Sequence, residues 1–106
     1  MKYITLEDAK NAVAEKLKAY TANSEDEFRF LEDNIIERED YWVFFYNSAK
    51  FIETGNWSYA LAGNAPLIVD KYEGQLYVTG TAHSIEYYMN LFEEKELVKI
   101  KGKMGQ

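Results

Sequence analysis

Few side chains in this sequence are suited to catalysis. His83 is the only histidine and there is no cysteine, so a two-histidine metal site and a thiolate site are both excluded. Ser84 follows His83 as a candidate nucleophile, but its position is better explained as the N-cap of a helix. Residues 63–66 lack the glycine spacing and following helix of a phosphate-binding loop. We therefore predict no enzyme activity, metal or cofactor, and keep a small hydrolase that uses His83 as the last alternative.

Negative charge concentrated in residues 25–40 is the strongest chemical signal. This segment contains eight acids and two arginines, whereas the rest of the chain has ten acids and ten bases. Clustered negative charge attracts a partner with a basic surface. A second interpretation is a solvated loop and edge strand whose charge prevents aggregation. With two nearby aromatic residues as anchors, the candidate partner-binding residues are Glu32, Asp33, Glu37, Glu39, Asp40, Trp42 and Trp57.

Composition limits the class of protein and of partner. The 106 residues suit a single domain, 1–106, large enough to bury its own core. The net charge of -6 and the pI of about 4.8 argue against a nucleic-acid partner, because phosphates require a basic surface. No apolar run is long enough to span a membrane, and the absence of cysteine fits a reducing compartment. We expect an acidic cytoplasmic protein without a membrane partner.

Two helices are predicted, one near each end of the chain. Thr5 and Asp8 resemble a capping box, and apolar residues recur at helical spacing from there to about Tyr20. The expected buried stripe of this helix consists of Leu6, Ala9, Val13, Leu17 and Tyr20. Ser84 is expected to cap the second helix, whose stripe consists of Ile85, Tyr88, Met89 and Phe92.

Two hairpins are predicted between the helices. Residues 67–70 and 75–79 form one around Gly74, which is expected to adopt a positive φ, and residues 34–38 and 41–46 form the other. Alternation along the last of these strands places Tyr41, Val43 and Phe45 on one face, and Trp42, Phe44 and Tyr46 on the other. The predicted fold is therefore α+β, with a four-stranded antiparallel sheet of two hairpins and the N-terminal and C-terminal helices packed on one face.

Three segments remain less determined by the sequence. Residues 28–30 fit either a short strand or a linker. The connection 47–64 is rich in large apolar residues, which favours a cover for the second sheet face over a binding loop. Residues 97–100 fit an edge strand or a last helical turn, and residues 102–106 are expected to fray.

Several separated segments of the sequence resemble the pattern of one protein family. They are residues 42–48, 51–55, 63–70 and 80–82, with Gly74 between the last two. This pattern is similar to the YrhB-like immunity protein family, which is family thirty-five of the bacterial polymorphic-toxin immunity proteins. The resemblance implies a small cytoplasmic α+β protein that binds and neutralises a cognate toxin. The motif residues expected to hold this fold are Gly63, Asn64, Pro66, Asp70, Gly74 and Gly80.

The same resemblance implies an alternative function. The YrhB branch of the family is associated with stress and chaperone-like behaviour, so the chain is alternatively a protein that holds unfolded clients on an exposed aromatic face. The sequence also leaves open whether the chain forms a homodimer through such a face.

Overall fold

The structure, a computed structural model, describes residues 3–22, 26–61 and 64–94. Its helices and strands are α1 (Leu6–Tyr20), β1 (Phe28–Phe30), β2 (Ile36–Glu37), β3 (Tyr41–Phe44), β4 (Tyr46–Ser48), α2 (Ala49–Thr54), β5 (Leu67–Asp70), β6 (Leu76–Val78) and α3 (Ile85–Glu93). Short 3₁₀ helices lie at Glu32–Asn34 and Trp57–Tyr59. The expectations for Gly63, for residues 97–100 and for residues 102–106 lie outside the described residues.

α1 begins and ends where the sequence predicts. The Thr5 hydroxyl accepts the backbone N–H of Asp8, and the Asp8 carboxylate accepts the N–H of Thr5, which completes the capping box. Ala9, Val13 and Leu17 are buried in the core as expected. Leu6 and Tyr20, at the two ends of the predicted stripe, are exposed instead, so the stripe is buried only in its middle.

The strands form two sheets, so the prediction of a single four-stranded sheet is wrong in part. The four-stranded antiparallel sheet is present in the order β2-β3-β5-β6, with hairpins β2–β3 and β5–β6. In addition, β1 pairs with β4 in a two-stranded sheet. The segment from β3 to β4 is paired along one side by two strands, since β2 pairs with β3 and β1 pairs with β4. The 3₁₀ helix Glu32–Asn34 separates β1 from β2. Residues 28–30 are therefore a strand and not a linker.

The helices cover opposite faces of the four-stranded sheet, which corrects the prediction that both pack on one face. α1 packs in a core with Trp42 and Phe44, whereas α3 packs in a second core with Tyr41 and Val43. The predicted division of β3 into two faces is confirmed. Because both faces of β3 are apolar, each one requires a helix to exclude water.

A short hydrogen bond ties α3 to its face of the sheet. The Tyr41 hydroxyl donates to Oε2 of Glu93 at 2.5 Å, and burial together with this carboxylate raises the pKa of Tyr41. The ring of Phe92 lies 4.6 Å from that of Tyr41, between centroids. α3 thus occupies the face that the connection 47–64 was predicted to cover. The prediction that the connection covers this face is therefore wrong. Among the described residues 47–61, Leu61 packs against the α1 core, on the opposite face of the sheet.

The β5–β6 hairpin matches its prediction closely. Leu67, Ile68 and Val69 are fully buried, as expected for a strand covered on both sides, and Gly74 has φ 69°. Leu76 and Val78 face the α1 core, while Tyr77 faces the α3 core. In this hairpin, as in β3, both faces agree with the predicted pattern.

Gly80 lies against α3 at a distance that excludes a side chain. A Cβ built on Gly80 would be 2.5 Å from the hydroxyl oxygen of Tyr88 and 3.1 Å from its Cζ. We expect Gly80→Ala to lower the free energy of unfolding by about 1–3 kcal/mol, measured by urea denaturation, because α3 must shift. The same substitution in a Tyr88→Phe background should cost clearly less, since the nearest atom is then absent. Equal costs in both backgrounds would show that the hydroxyl contact is not the cause.

Candidate protein-binding surface

The predicted acids lie along one edge of the four-stranded sheet, on three consecutive segments. These are the 3₁₀ helix, the edge strand β2 and the β2–β3 turn. The name acidic edge is used here for Glu32, Asp33, Glu37, Glu39 and Asp40. Asp40 is partly buried and the other four side chains are exposed. The structure therefore brings together five of the seven partner-binding candidates that the sequence predicted.

Neighbouring elements neutralise part of the acidic edge. Lys10 of α1 pairs with Glu32 at 3.0 Å, and Lys71 pairs with Glu37 at 2.8 Å. The carboxylate of Asp40 accepts a hydrogen bond from the Tyr72 hydroxyl at 2.7 Å. In the described part of the chain, Asp33 and Glu39 make no ion pair.

An arginine joins β1 to α2. The Arg29 guanidinium on β1 donates to Glu27 and to Glu53 of α2, each at 2.8 Å. The hydrogen bond from Arg29 lowers the pKa of Glu27, and the two carboxylates raise the pKa of Arg29. Because all three side chains are exposed, the ion pairs position α2 beside β1 more than they stabilise the fold.

Trp57 is the most exposed large hydrophobic residue of the described chain, with 80% of its surface accessible. Its ring lies 5.0 Å from that of Phe51, between centroids. Ile52 of α2 and Tyr59 of the second 3₁₀ helix are also exposed. These four residues are called the aromatic patch below. Isolated exposed apolar residues are ordinary, but a cluster around a tryptophan is typical of a protein-binding site.

The aromatic patch is held in place by hydrogen bonds from Asn47 and Ser48. Oδ1 of Asn47 accepts the N–H of Leu61 at 2.9 Å, so it closes the connection that carries the patch. The Ser48 hydroxyl caps α2 by accepting the N–H of Phe51, and donates to the carbonyl oxygen of Tyr59. The patch is consequently a defined surface on the protein and not an unstructured loop.

Trp42 does not belong to this surface, which corrects its selection as an anchor. Only 4% of Trp42 is exposed, and its ring lies in the α1 core with Phe44. Lys71 Nζ covers the ring at 4.9 Å from its centroid. The alternation in β3 placed Trp42 correctly on one face, but α1 covers that face entirely.

Three residues of the surface escaped the sequence prediction. Phe51, Ile52 and Tyr59 lie in the connection 47–64, which was assigned to a cover because its large apolar residues favoured burial. A helix of six residues between Ser48 and Gly55, which has φ 71°, carries the first two to the surface. The available sequence signal was this cap pair, with serine before the helix and glycine after it.

His83 and Ser84 are not arranged as a base and a nucleophile. Ser84 accepts the N–H of Tyr87 and so caps α3, as predicted. The His83 ring stacks on that of Tyr87 at 3.9 Å between centroids and is exposed. Within the described ranges, no group of three or more histidines and acids is placed to hold a metal ion. In those same ranges, no helix has the length and apolar character needed to cross a membrane.

Three of the motif residues that the structure describes make hydrogen bonds to other segments of the chain. Nδ2 of Asn64 donates to the carbonyl oxygen of Tyr46 at 2.6 Å, and the Pro66 carbonyl accepts the Thr79 hydroxyl at 2.6 Å. The Asp70 carboxylate accepts backbone N–H groups of the β5–β6 turn. These roles concern the fold, and none of these residues is part of the acidic edge or the aromatic patch.

Two comparisons with known proteins give a match. No solved structure matches the chain. Uncharacterized protein YrhB of Escherichia coli (strain K12) is 42% identical over 55 residues, which are 52% of this chain and 58% of that protein. The chain thus spans less than two thirds of the curated relative that it matches. The model of immunity protein 35 matches residues 7–90, which include both sheets, α2, the acidic edge, and most of α1 and α3. Because this match extends over most of the sequence, the chain belongs to the immunity protein 35 family.

Proposed function

We propose that this protein binds a cognate bacterial toxin and neutralises it by direct protein–protein contact, without catalysis of its own. Membership of an immunity protein family supports the class of function. The observation that carries the proposal is the presence of two exposed surfaces on one chain, the acidic edge and the aromatic patch. The partner is a toxin with a basic surface, and the absence of cysteine suits action in the cytoplasm.

The acidic edge supplies the long-range part of binding. Lys10 and Lys71 offset two of its charges, so the attraction depends most on the unpaired carboxylates of Asp33 and Glu39. Like charges along one edge speed the encounter with an oppositely charged protein and are screened by salt. An inhibitor of a toxin benefits directly from this, since it must bind before the toxin reaches its target.

The aromatic patch supplies the short-range part. A tryptophan gains a large apolar area on burial and loses little conformational entropy, because it has only two side-chain torsions. Phe51 already restricts the Trp57 ring before any partner binds. Burial of Trp57 in a pocket of the toxin would therefore contribute more to affinity than any exposed ion pair of the acidic edge.

Reversal of the two unpaired acids tests the electrostatic part. The double variant Asp33→Lys/Glu39→Lys should slow association with the toxin roughly tenfold at low salt, and much less at moderate salt. Stopped-flow or surface-based kinetics with the toxin recovered on the wild-type chain would measure this rate.

A matched control carries the same change of net charge elsewhere. Glu15 and Glu94 are exposed and lie on α1 and at the end of α3, so Glu15→Lys/Glu94→Lys should leave the rate within about twofold of wild type. Equal slowing by both double variants would mean that net charge, and not the acidic edge, governs the encounter.

A further inference from the structure

Consecutive residues of β4 each bind one point of the connection that follows the strand. The Ser48 hydroxyl donates to the Tyr59 carbonyl oxygen at 2.8 Å, and Oδ1 of Asn47 accepts the Leu61 N–H at 2.9 Å. The carbonyl oxygen of the first residue of the strand accepts Nδ2 of Asn64 at 2.6 Å. Successive points of the connection are therefore held in reverse order along β4, so the chain that carries the aromatic patch returns past this strand.

Apolar burial contributes little to the order of the aromatic patch. Among the described residues of α2 and of the 3₁₀ helix Trp57–Tyr59, Ala49 alone is buried. A helix of six residues such as α2 is not stable in water by itself. The Phe51 ring contacts that of Trp57, but the tryptophan remains 80% exposed. The order of the patch therefore depends mainly on its hydrogen bonds to β4.

The Ser48 hydroxyl joins the two halves of the patch. It accepts the Phe51 N–H at 2.9 Å as the cap of α2, and it donates to the Tyr59 carbonyl in the 3₁₀ helix. Ser48 itself is only 4% exposed. Removal of its hydroxyl would consequently leave a donor and an acceptor without their partner at a buried position, where water does not readily replace it.

We propose that Ser48, together with Asn47, is a positioning residue for toxin binding, which keeps Trp57 in the orientation that the toxin accepts. This inference rests on the proposed function, and it adds that the affinity depends on a buried hydroxyl behind the contact surface. A patch that is ordered for only a fraction of the time binds with an affinity reduced by that fraction. Ser48 therefore acts on affinity through Trp57 and not through a contact of its own.

The first test needs no toxin. ¹⁵N relaxation of the full chain measures the order parameters of the Trp57 and Tyr59 backbone amides, which we expect to fall from about 0.85 to below about 0.6 in Ser48→Ala. Ser84→Ala is the matched control, because Ser84 also caps a helix by accepting a backbone N–H, but on α3. It should leave both order parameters unchanged. Unchanged order parameters in Ser48→Ala would overturn the proposal.

A second pair of variants removes the neighbouring anchor, so the test does not depend on the folding of Ser48→Ala. Asn47→Ala loses the acceptor of the Leu61 N–H, whereas Asn47→Asp keeps an oxygen at that position. We expect Asn47→Ala to lower the order parameters of Trp57 and Tyr59, and Asn47→Asp to retain them. Equal order parameters in the two variants would show that this acceptor does not position the patch.

A double-mutant cycle tests whether Ser48 acts through Trp57. With the toxin recovered on the wild-type chain, Ser48→Ala should raise the Kd roughly tenfold, but less than about twofold when Trp57 is already replaced by alanine. An equal increase in both backgrounds would overturn the proposal, because Ser48 would then support the fold and not the orientation of Trp57. The proposed function fails separately if the wild-type chain neutralises no toxin, and the order parameters alone then decide whether Ser48 orders the patch.

Discussion

Replacing Trp57 by alanine should weaken binding of the toxin by roughly a hundredfold or more, chiefly through faster dissociation. The physical reason is that an exposed tryptophan packed against Phe51 offers a large apolar area that only a partner can bury. The free energy of unfolding should change by less than about 0.5 kcal/mol, because so little of the ring is buried in the free protein. Calorimetric titration and urea denaturation measure the two quantities on the same variant.

Tyr87→Ala is the matched control for this prediction. Tyr87 is also an exposed aromatic residue, with 42% of its surface accessible, but it lies on α3 and contacts His83 instead of the aromatic patch. Its removal should leave the affinity within about twofold of wild type. If Trp57→Ala bound the toxin as tightly as wild type, the aromatic patch would not be part of the interface.

Asp70→Ala should destabilise the fold by about 2–4 kcal/mol. Asp70 is 8% exposed, and Oδ1 accepts the N–H groups of Tyr72 at 2.7 Å and Glu73 at 2.9 Å. Oδ2 accepts the N–H of Gln75 at 3.1 Å. Alanine would leave three backbone donors of the β5–β6 turn without this acceptor, and hydrogen bonds to a charged group are the stronger kind.

Asp70→Asn should cause a smaller loss than Asp70→Ala. The amide retains one oxygen for Tyr72 and Glu73 but presents an NH₂ group to the donor of Gln75. Urea midpoints at constant m value would order the three proteins as wild type, asparagine variant and alanine variant. An alanine variant as stable as wild type would mean that water replaces the carboxylate in this turn.

The features that the sequence predicted well are the local ones. The Thr5 capping box and the Ser84 cap were predicted because each is complete within four residues. The two faces of β3 and of the β5–β6 hairpin followed from alternation, which depends only on the extended backbone. The acidic edge followed because its residues are close in sequence and strands at an edge are exposed.

The features that the sequence did not determine depend on distant contacts. The two apolar faces of β3 each need a covering element. No local sequence pattern indicates whether α3 or the connection 47–64 covers the second face. Trp42 and Trp57 illustrate the consequence, since α1 buries the first and no described element covers the second. The pairing of β1 with β4 was missed because the 3₁₀ helix Glu32–Asn34 interrupts the edge, so one hairpin became two sheets.

Capture of the partner from a lysate of the source organism, followed by a neutralisation assay, tests the central claim most directly. Wild-type protein and the Trp57→Ala variant would serve as baits at low and at moderate salt. We predict one dominant basic protein that is retained by wild type, is reduced by salt and by the substitution, and is toxic in cells unless the wild-type chain is co-expressed. Many unrelated proteins retained equally by both baits, with no toxic partner among them, would contradict the immunity function and favour a chaperone-like holding function instead.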